Sequence, residues 1–404
     1  MGIVRTRASE MRRAGIAFRP SLAQGRGVTR EVRADDGVGS AIGGGVGKLA
    51  AFFVFGPAWL GDLGQPLWAA ALFLWLFAVI LWSAFGVVHE AEELAHRLGE
   101  PYGTLVLTLS IVVIEVVLVS AVMLSAKAAP TLGRDTMFAV LMIVLNGIVG
   151  LGLLIGGLRY HQQSYNLKGA SAFLSVIIPL TTIALIIPNF TTSTSVGTLT
   201  ALQSIAFSVF TVALYAIFLA IQTGRHSSFF IHANETSASA SRPTEPPAPA
   251  HAAGGSVLRH TALLIANILP IVLLSKSLAG ILDHGIAALG APSALGGVLI
   301  AGIVFTPEGI SALKAIARNE LQRAINLCLG AATSTVGLTV PAVLIVGLIS
   351  GQTVVLGLAP TEMTLLVVTL ILSTITFSGL RTTMLEGAVH LVVFFVYLTL
   401  IFSP

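Results

Sequence analysis

One cysteine, Cys328, is all the thiol chemistry the chain carries. An internal disulfide, a thiolate metal cage and a Cys-x-x-Cys redox pair are therefore excluded. Charge is scarce as well. Only 10% of the 404 residues are Asp, Glu, Lys or Arg, against about 25% in soluble domains. No Walker phosphate loop and no dinucleotide fingerprint occur, so neither ATP-driven work nor nicotinamide chemistry has a site here. No nucleophile–base pair or metal triad lies within the apolar runs, so an enzyme is not expected and no cofactor is implied. The stretch "HEAEELAHRLGE" (89–100) resembles a zinc helix at first glance, but Glu93 occupies the place where the second His of HExxH must stand. We read it as an amphipathic connector in solvent, with an acidic mouth for cations as the alternative.

What the chain has instead is apolar length. Hydrophobic residues make up 55% of it and glycine supplies 41 positions. Apolar runs long enough to cross a bilayer recur at 40–60, 66–88, 104–126, 137–158, 170–188, 200–221, 260–281, 294–316, 323–349, 361–378 and 385–403. The expected fold is an all-α integral membrane protein of about eleven transmembrane helices. Residues 1–38 hold eight arginines and read as a basic cytoplasmic tail that meets anionic lipid rather than nucleic acid. No small-residue cleavage site follows, so a cleaved signal peptide is not expected. Residues 222–258, including "SASASRPTEPPAPAHAAGGS", have no apolar period and read as a flexible linker. It separates an N-terminal half, 39–221, from a C-terminal half, 259–404.

Basic residues set the topology. With the tail in the cytoplasm, the cytoplasmic connections hold Arg97, Arg159, Lys168, Arg225, Arg242, Arg259, Lys314, Arg318, Arg323 and Arg381, and the outer ones only Lys127, Arg134 and Lys276. The chain is thus expected to be a multi-pass protein of the cytoplasmic (inner) membrane. The halves also look alike. "TLSIVVIEVVLVSAVMLSAK" precedes the Gly-rich "LNGIVGLGLLIGG", and "GIVFTPEGISALKAIARNE" precedes "LGAATSTVGLTVPAV". Each pair is a helix with one central Glu, a basic connector, and a span of small and polar residues. The topology runs the two Glu helices in opposite directions. This predicts two inverted repeats, 104–158 and 294–349, with a site at their interface near mid-membrane.

Glu115 and Glu308 are the central candidates. A charge at the middle of a membrane helix costs about 2.5–3.5 kcal/mol, so such residues face a cavity or a partner. One alone is explained by a structural hydrogen bond; two at matching positions point to a site. No Lys or Arg lies mid-span to pair with them. Two unpaired carboxylates suit protons or a hard cation with oxygen ligands, in competition, which is the minimal requirement for exchange. Pro307 and Gly309 in "FTPEG" free a carbonyl and admit close backbone approach, as a cation cage or a simple proline kink requires. Asn146, Ser334 and Thr335 in the following spans can complete a cation shell or serve as helix–helix glue. Thr306 borders Glu308 in sequence, and Thr108 and Ser311 share a helical face with the glutamates. Glu386 and His390, one turn apart, suit a proton relay or a polar pair at a helix end.

The stretches "AHRLGEPYGTLVLTLSIVVIEV", "AAPTLGRDT", "FTPEGISALKA" and "QRAINLCLG" resemble the bacterial ChaA-like calcium/sodium/potassium–proton antiporters of the calcium/cation antiporter superfamily. The resemblance runs from about residue 66 to the C-terminus. It implies two α-repeats whose acidic residues, here Glu115 and Glu308, bind cation and proton alternately, with alternating access around them. Its transported partners would be Ca²⁺, Na⁺ or K⁺ and H⁺. The Gly-Asn-Ala that precedes the repeat glutamate in other cation exchangers is Val112, Val113 and Ile114 here, and Phe305, Thr306 and Pro307 in the second repeat. That leaves room for a purely monovalent antiporter. The linker holds only Glu235 and Glu245 in place of an acidic loop. A passive cation channel on the same scaffold is the rival expectation.

Overall fold

A computed structural model describes residues 59–61, 63–99, 102–124, 130–224, 227–230 and 257–403. The basic tail, nearly all of the expected span 40–60 and most of the linker lie outside these residues.

Ten helices carry the described chain. They are α1 (Pro66–Leu98), α2 (Tyr102–Met123), α3 (Leu132–Tyr160), α4 (Leu167–Phe190), α5 (Ala201–Thr223), α6 (Val257–Leu289), α7 (Ala294–Ala317), α8 (Leu321–Ser350), α9 (Pro360–Thr376) and α10 (Met384–Phe402). All except α9, a shorter apolar helix, are long and apolar enough to span a bilayer. Each matches one expected span. The chain is therefore a multi-pass, all-α membrane protein.

Local chemistry sets the ends. Pro66 opens α1, where its missing N–H costs nothing. Thr200 with Gln203, and Thr383 with Glu386, form reciprocal capping boxes on α5 and α10. Gly351 closes α8 in the left-handed region.

Two expectations change. The stretch 89–100 is not a solvent loop: α1 continues through it to Leu98, about 50 Å from its start. Ala, Glu and Leu favour helix there, and the Glu90 carboxylate is buried against His260 Nδ1 at 2.7 Å. The linker region also begins with order. Ser227–Phe230 forms a 3₁₀ turn, and Phe230 packs edge-on against Phe173 and Phe218.

Three helices are not α throughout. α3 is π-helical over Met142–Ile148, α4 over Thr182–Ile186, and α8 over Thr335–Thr339. The segment in α4 follows Pro179, which removes a hydrogen bond from the ladder.

Packing links corresponding helices of the two halves. α1 packs on α6, α2 on α7, and α3 on α8. The remaining contacts occur in counterparts: α2 with α8 and α7 with α3; α3 with α10 and α8 with α5; α4 with α5 and α9 with α10. On one face, Gln163–Ser164 (β1) pairs antiparallel with Arg381–Thr382 (β2). On the other, the segment after α8 is stitched to its neighbours. Val355 N–H donates to Pro130 O (3.0 Å), Leu356 N–H to Gly197 O (2.8 Å) and Leu358 N–H to Leu185 O (2.9 Å). Gly357 must be Gly here, because a Cβ would stand 2.6 Å from Gly197 Cα. Apart from Leu185, near the end of α4, the residues these bonds join lie in connections that the basic-residue topology puts on the same side.

Candidate functional site

Glu115 sits in the middle of α2 and Glu308 in the middle of α7, and both are buried. The apolar faces around them, among them Ile114, Leu118, Val304 and Phe305, are packed into the common core. The two helices that carry them pack on each other. Thr335, first residue of the π segment in α8, donates its hydroxyl to Glu115 Oε2 at 2.8 Å. Thr339, about a turn further, stands beside the same carboxylate with its own hydroxyl otherwise unbonded. Glu115 Oε1 and both oxygens of Glu308 have no hydrogen-bond partner. Among the described residues, neither glutamate has an ion-pair partner. Three buried, unsatisfied acceptor atoms in one place are costly to a fold. A bound proton or cation relieves that cost.

A cavity of about 430 Å³ reaches Glu308 from one face of the molecule. Thr108, Ile111 and Ser334 line it near the carboxylate; Gln222, Thr223, Arg323 and Asn326 line its mouth. That mouth lies at the C-terminal end of α5 and the N-terminal end of α8, the face that carries most basic connections. Glu115 does not line the cavity.

The other residues singled out in the sequence fall as follows. Ser334 bonds the Ala331 carbonyl at 3.0 Å beside the cavity wall. Pro307 lies inside α7, where it lacks the N–H that would otherwise bond Ile303 O, and the Thr306 hydroxyl bonds Gly302 O. Gly309 lets α3 approach, since a Cβ there would lie 2.8 Å from Ile148 Cδ1. Ser311 is half-buried and off the cavity.

Asn146 makes no hydrogen bond to either glutamate. Its Nδ2 donates to Thr369 Oγ1 (2.8 Å) and its Oδ1 meets His390 Nδ1 (3.0 Å); His390 Nε2 meets Thr376 Oγ1 (3.0 Å). The suggested Glu386–His390 relay is corrected by this geometry. Glu386 is occupied at the cap of α10 with Thr383, while His390 turns the other way, into the core. Sequence reasoning missed Thr339, Thr369 and the His390–Asn146 bond. The last joins residues 244 apart, a distance no local pattern spans.

The described fold has counterparts among known proteins. A protein-family description, "Sodium/calcium exchanger protein", matches residues 68–224 and 259–403. The chain belongs to the sodium/calcium exchanger protein family. Membership makes it a transporter. The chain is 40% identical over 330 residues to the sodium-potassium/proton antiporter ChaA of Escherichia coli, covering 80% of this chain and 87% of that one. It is 26% identical over 267 residues to a Ca(2+)/H(+) antiporter of Synechocystis, covering 64% and 71%. The crystal structure of the Ca2+/H+ antiporter protein YfkE has the same fold, with a TM-score of 0.67 over 91% of this chain and 100% of that one at 19% identity. That of the H+/Ca2+ exchanger CAX gives 0.62 over 89% of each at 15% identity.

Proposed function

We propose that this exchanger is a secondary active cation/proton antiporter of the cytoplasmic membrane, with its N-terminus inside. It exports Na⁺, K⁺ or Ca²⁺ in exchange for inward protons. The observation that carries the reading is the pair of buried glutamates with three unsatisfied oxygens, one of them open to a single-sided cavity. An empty pair holds protons, because desolvation and mutual repulsion disfavour two bare charges. A cation that enters from the cytoplasmic cavity displaces them and is held by carboxylate and hydroxyl oxygens. Glu115, Glu308 and Thr335 are the groups the geometry offers, with Ser334 and Thr339 adjacent. The matching positions of Glu115 and Glu308 and the paired helix contacts support two inverted repeats as the scaffold.

The single-sided cavity also favours alternating access over a channel. On the face opposite its mouth, residues 355–358 are bonded to their neighbours, and the cavity that reaches Glu308 has no lining residue there. The cation is addressed by the relatives. The more similar one is named for sodium and potassium, and the flanks of the glutamates here add few side-chain oxygens. A monovalent preference is therefore the second reading.

The test is cation-driven proton flux in everted vesicles. Glu115→Gln and Glu308→Gln are each expected to insert normally and lose exchange. Normal flux from either variant would sink the mechanism.

A further inference from the structure

The two halves match in position but not in bonding. Asn146 and Thr335 each stand fourteen residues beyond the first residue of their helix, Leu132 and Leu321, and each belongs to a π-helical stretch. Thr335 donates to Glu115. Its counterpart Asn146 leaves Glu308 without a donor and bonds elsewhere.

The alternative bonding of Asn146 is fully specified. The Thr369 hydroxyl donates to Leu365 O at 2.8 Å, so it must accept from Asn146 Nδ2. That fixes the amide, with Oδ1 toward His390 and therefore a proton on His390 Nδ1. The ring's Nε2 is then free to accept from Thr376 Oγ1. One amide orientation and one imidazole tautomer satisfy the whole set. Gly150 makes the approach possible, since a Cβ there would lie 3.0 Å from His390 Cβ. The buried Asn146 amide thus needs a partner, and His390 supplies it in the state whose cavity is open to Glu308.

We propose that His390 is a positioning residue that latches Asn146 away from Glu308 in this state. Opening on the opposite face moves the Asn146 amide from His390 to Glu308 and releases Thr335 from Glu115. The two repeats thereby exchange arrangements. The latch rests on the alternating-access reading above. His390 itself touches neither cation nor proton in it.

The test uses one reporter thiol on the cavity wall, Leu327→Cys with Cys328→Ser, labelled by an impermeant maleimide from the cavity face of vesicles. His390→Ala removes the latch, so the cavity is open less often and the labelling rate falls about fivefold, the shift expected of one buried hydrogen bond. His390→Asn places an amide N–H where Nδ1 stood and keeps the wild-type rate. His390→Gln, which reaches the Nε2 position instead, behaves like His390→Ala and replaces it if that variant is not recovered. With Asn146→Ala present, His390→Ala has no further effect. A wild-type rate in His390→Ala and His390→Gln, an equal loss in His390→Asn, or an additive effect with Asn146→Ala would overturn the latch. The readout does not require exchange. Normal antiport by Glu308→Gln with these labelling results would remove the glutamate mechanism proposed above and leave alternating access and the latch standing.

Discussion

A carboxylate in an apolar run is the loudest signal a membrane sequence can give, and Glu115 and Glu308 were legible for that reason. Each is the single charge in the middle of its span, and burial of both confirms that neither snorkels to a surface. Their supporting groups were legible in part. Thr335 could be picked out as a polar residue in a matching span, but its bond to Glu115 could not, because α8 returns to α2 over 220 residues. Thr335→Val removes that donor while keeping the shape. The ionised carboxylate then loses a hydrogen bond worth about 1.5–3 kcal/mol, and protons compete better with the cation. The expected outcome is a half-saturating cation concentration raised about tenfold with the maximal rate largely kept, measured by titrating exchange at fixed pH. An unchanged half-saturation would mean that Thr335 does not serve the occupied site.

Helices as units were legible from hydropathy and their irregularities were not. An inserted π turn adds one residue without changing the apolar character of the run, so the segments in α3 and α8 leave no mark in composition. Pro307 is the exception, since its missing N–H can be read directly from the sequence. Pro307→Ala restores a donor for Ile303 O and stiffens α7 beside Glu308. The expected result is slower exchange without loss of melting temperature in detergent. At the opposite face, Arg134 holds the start of α3. Its guanidinium lies 2.7 Å from Asp135 Oδ1 and bonds Gly357 O at 2.9 Å. Arg134→Met strands the buried Asp135 carboxylate and costs about 3 kcal/mol or more. A lowered melting temperature checks it.

At the scale of the whole molecule, the basic-residue count gave a topology that the structure tests by adjacency. Tyr160 bonds Ala317 O, Gln163 bonds Asn319, and Asn166 N–H bonds the Gln322 side chain, all between connections assigned to the cytoplasm. The stitched segment 355–358 gathers those assigned outside. Arg134, one of the few basic residues assigned outside, is ion-paired with Asp135. Orientation itself is tested with single thiols in a Cys328→Ser background. Ser227→Cys is expected to label only from the cytoplasm and Ser193→Cys only from outside; the reverse pattern would invert the molecule. The one-sided cavity was invisible in the sequence, since it depends on how α5, α7 and α8 are spaced rather than on any residue's type.

The central claim is that cation and proton share Glu115 and Glu308. It is tested most directly by reconstituting the purified chain in vesicles that hold an imposed pH gradient and adding Na⁺, K⁺ and Ca²⁺ separately. At least one cation is predicted to collapse the gradient through the wild-type protein, and none through Glu115→Gln or Glu308→Gln. Cation entry without proton movement, or collapse that survives either substitution, would contradict it.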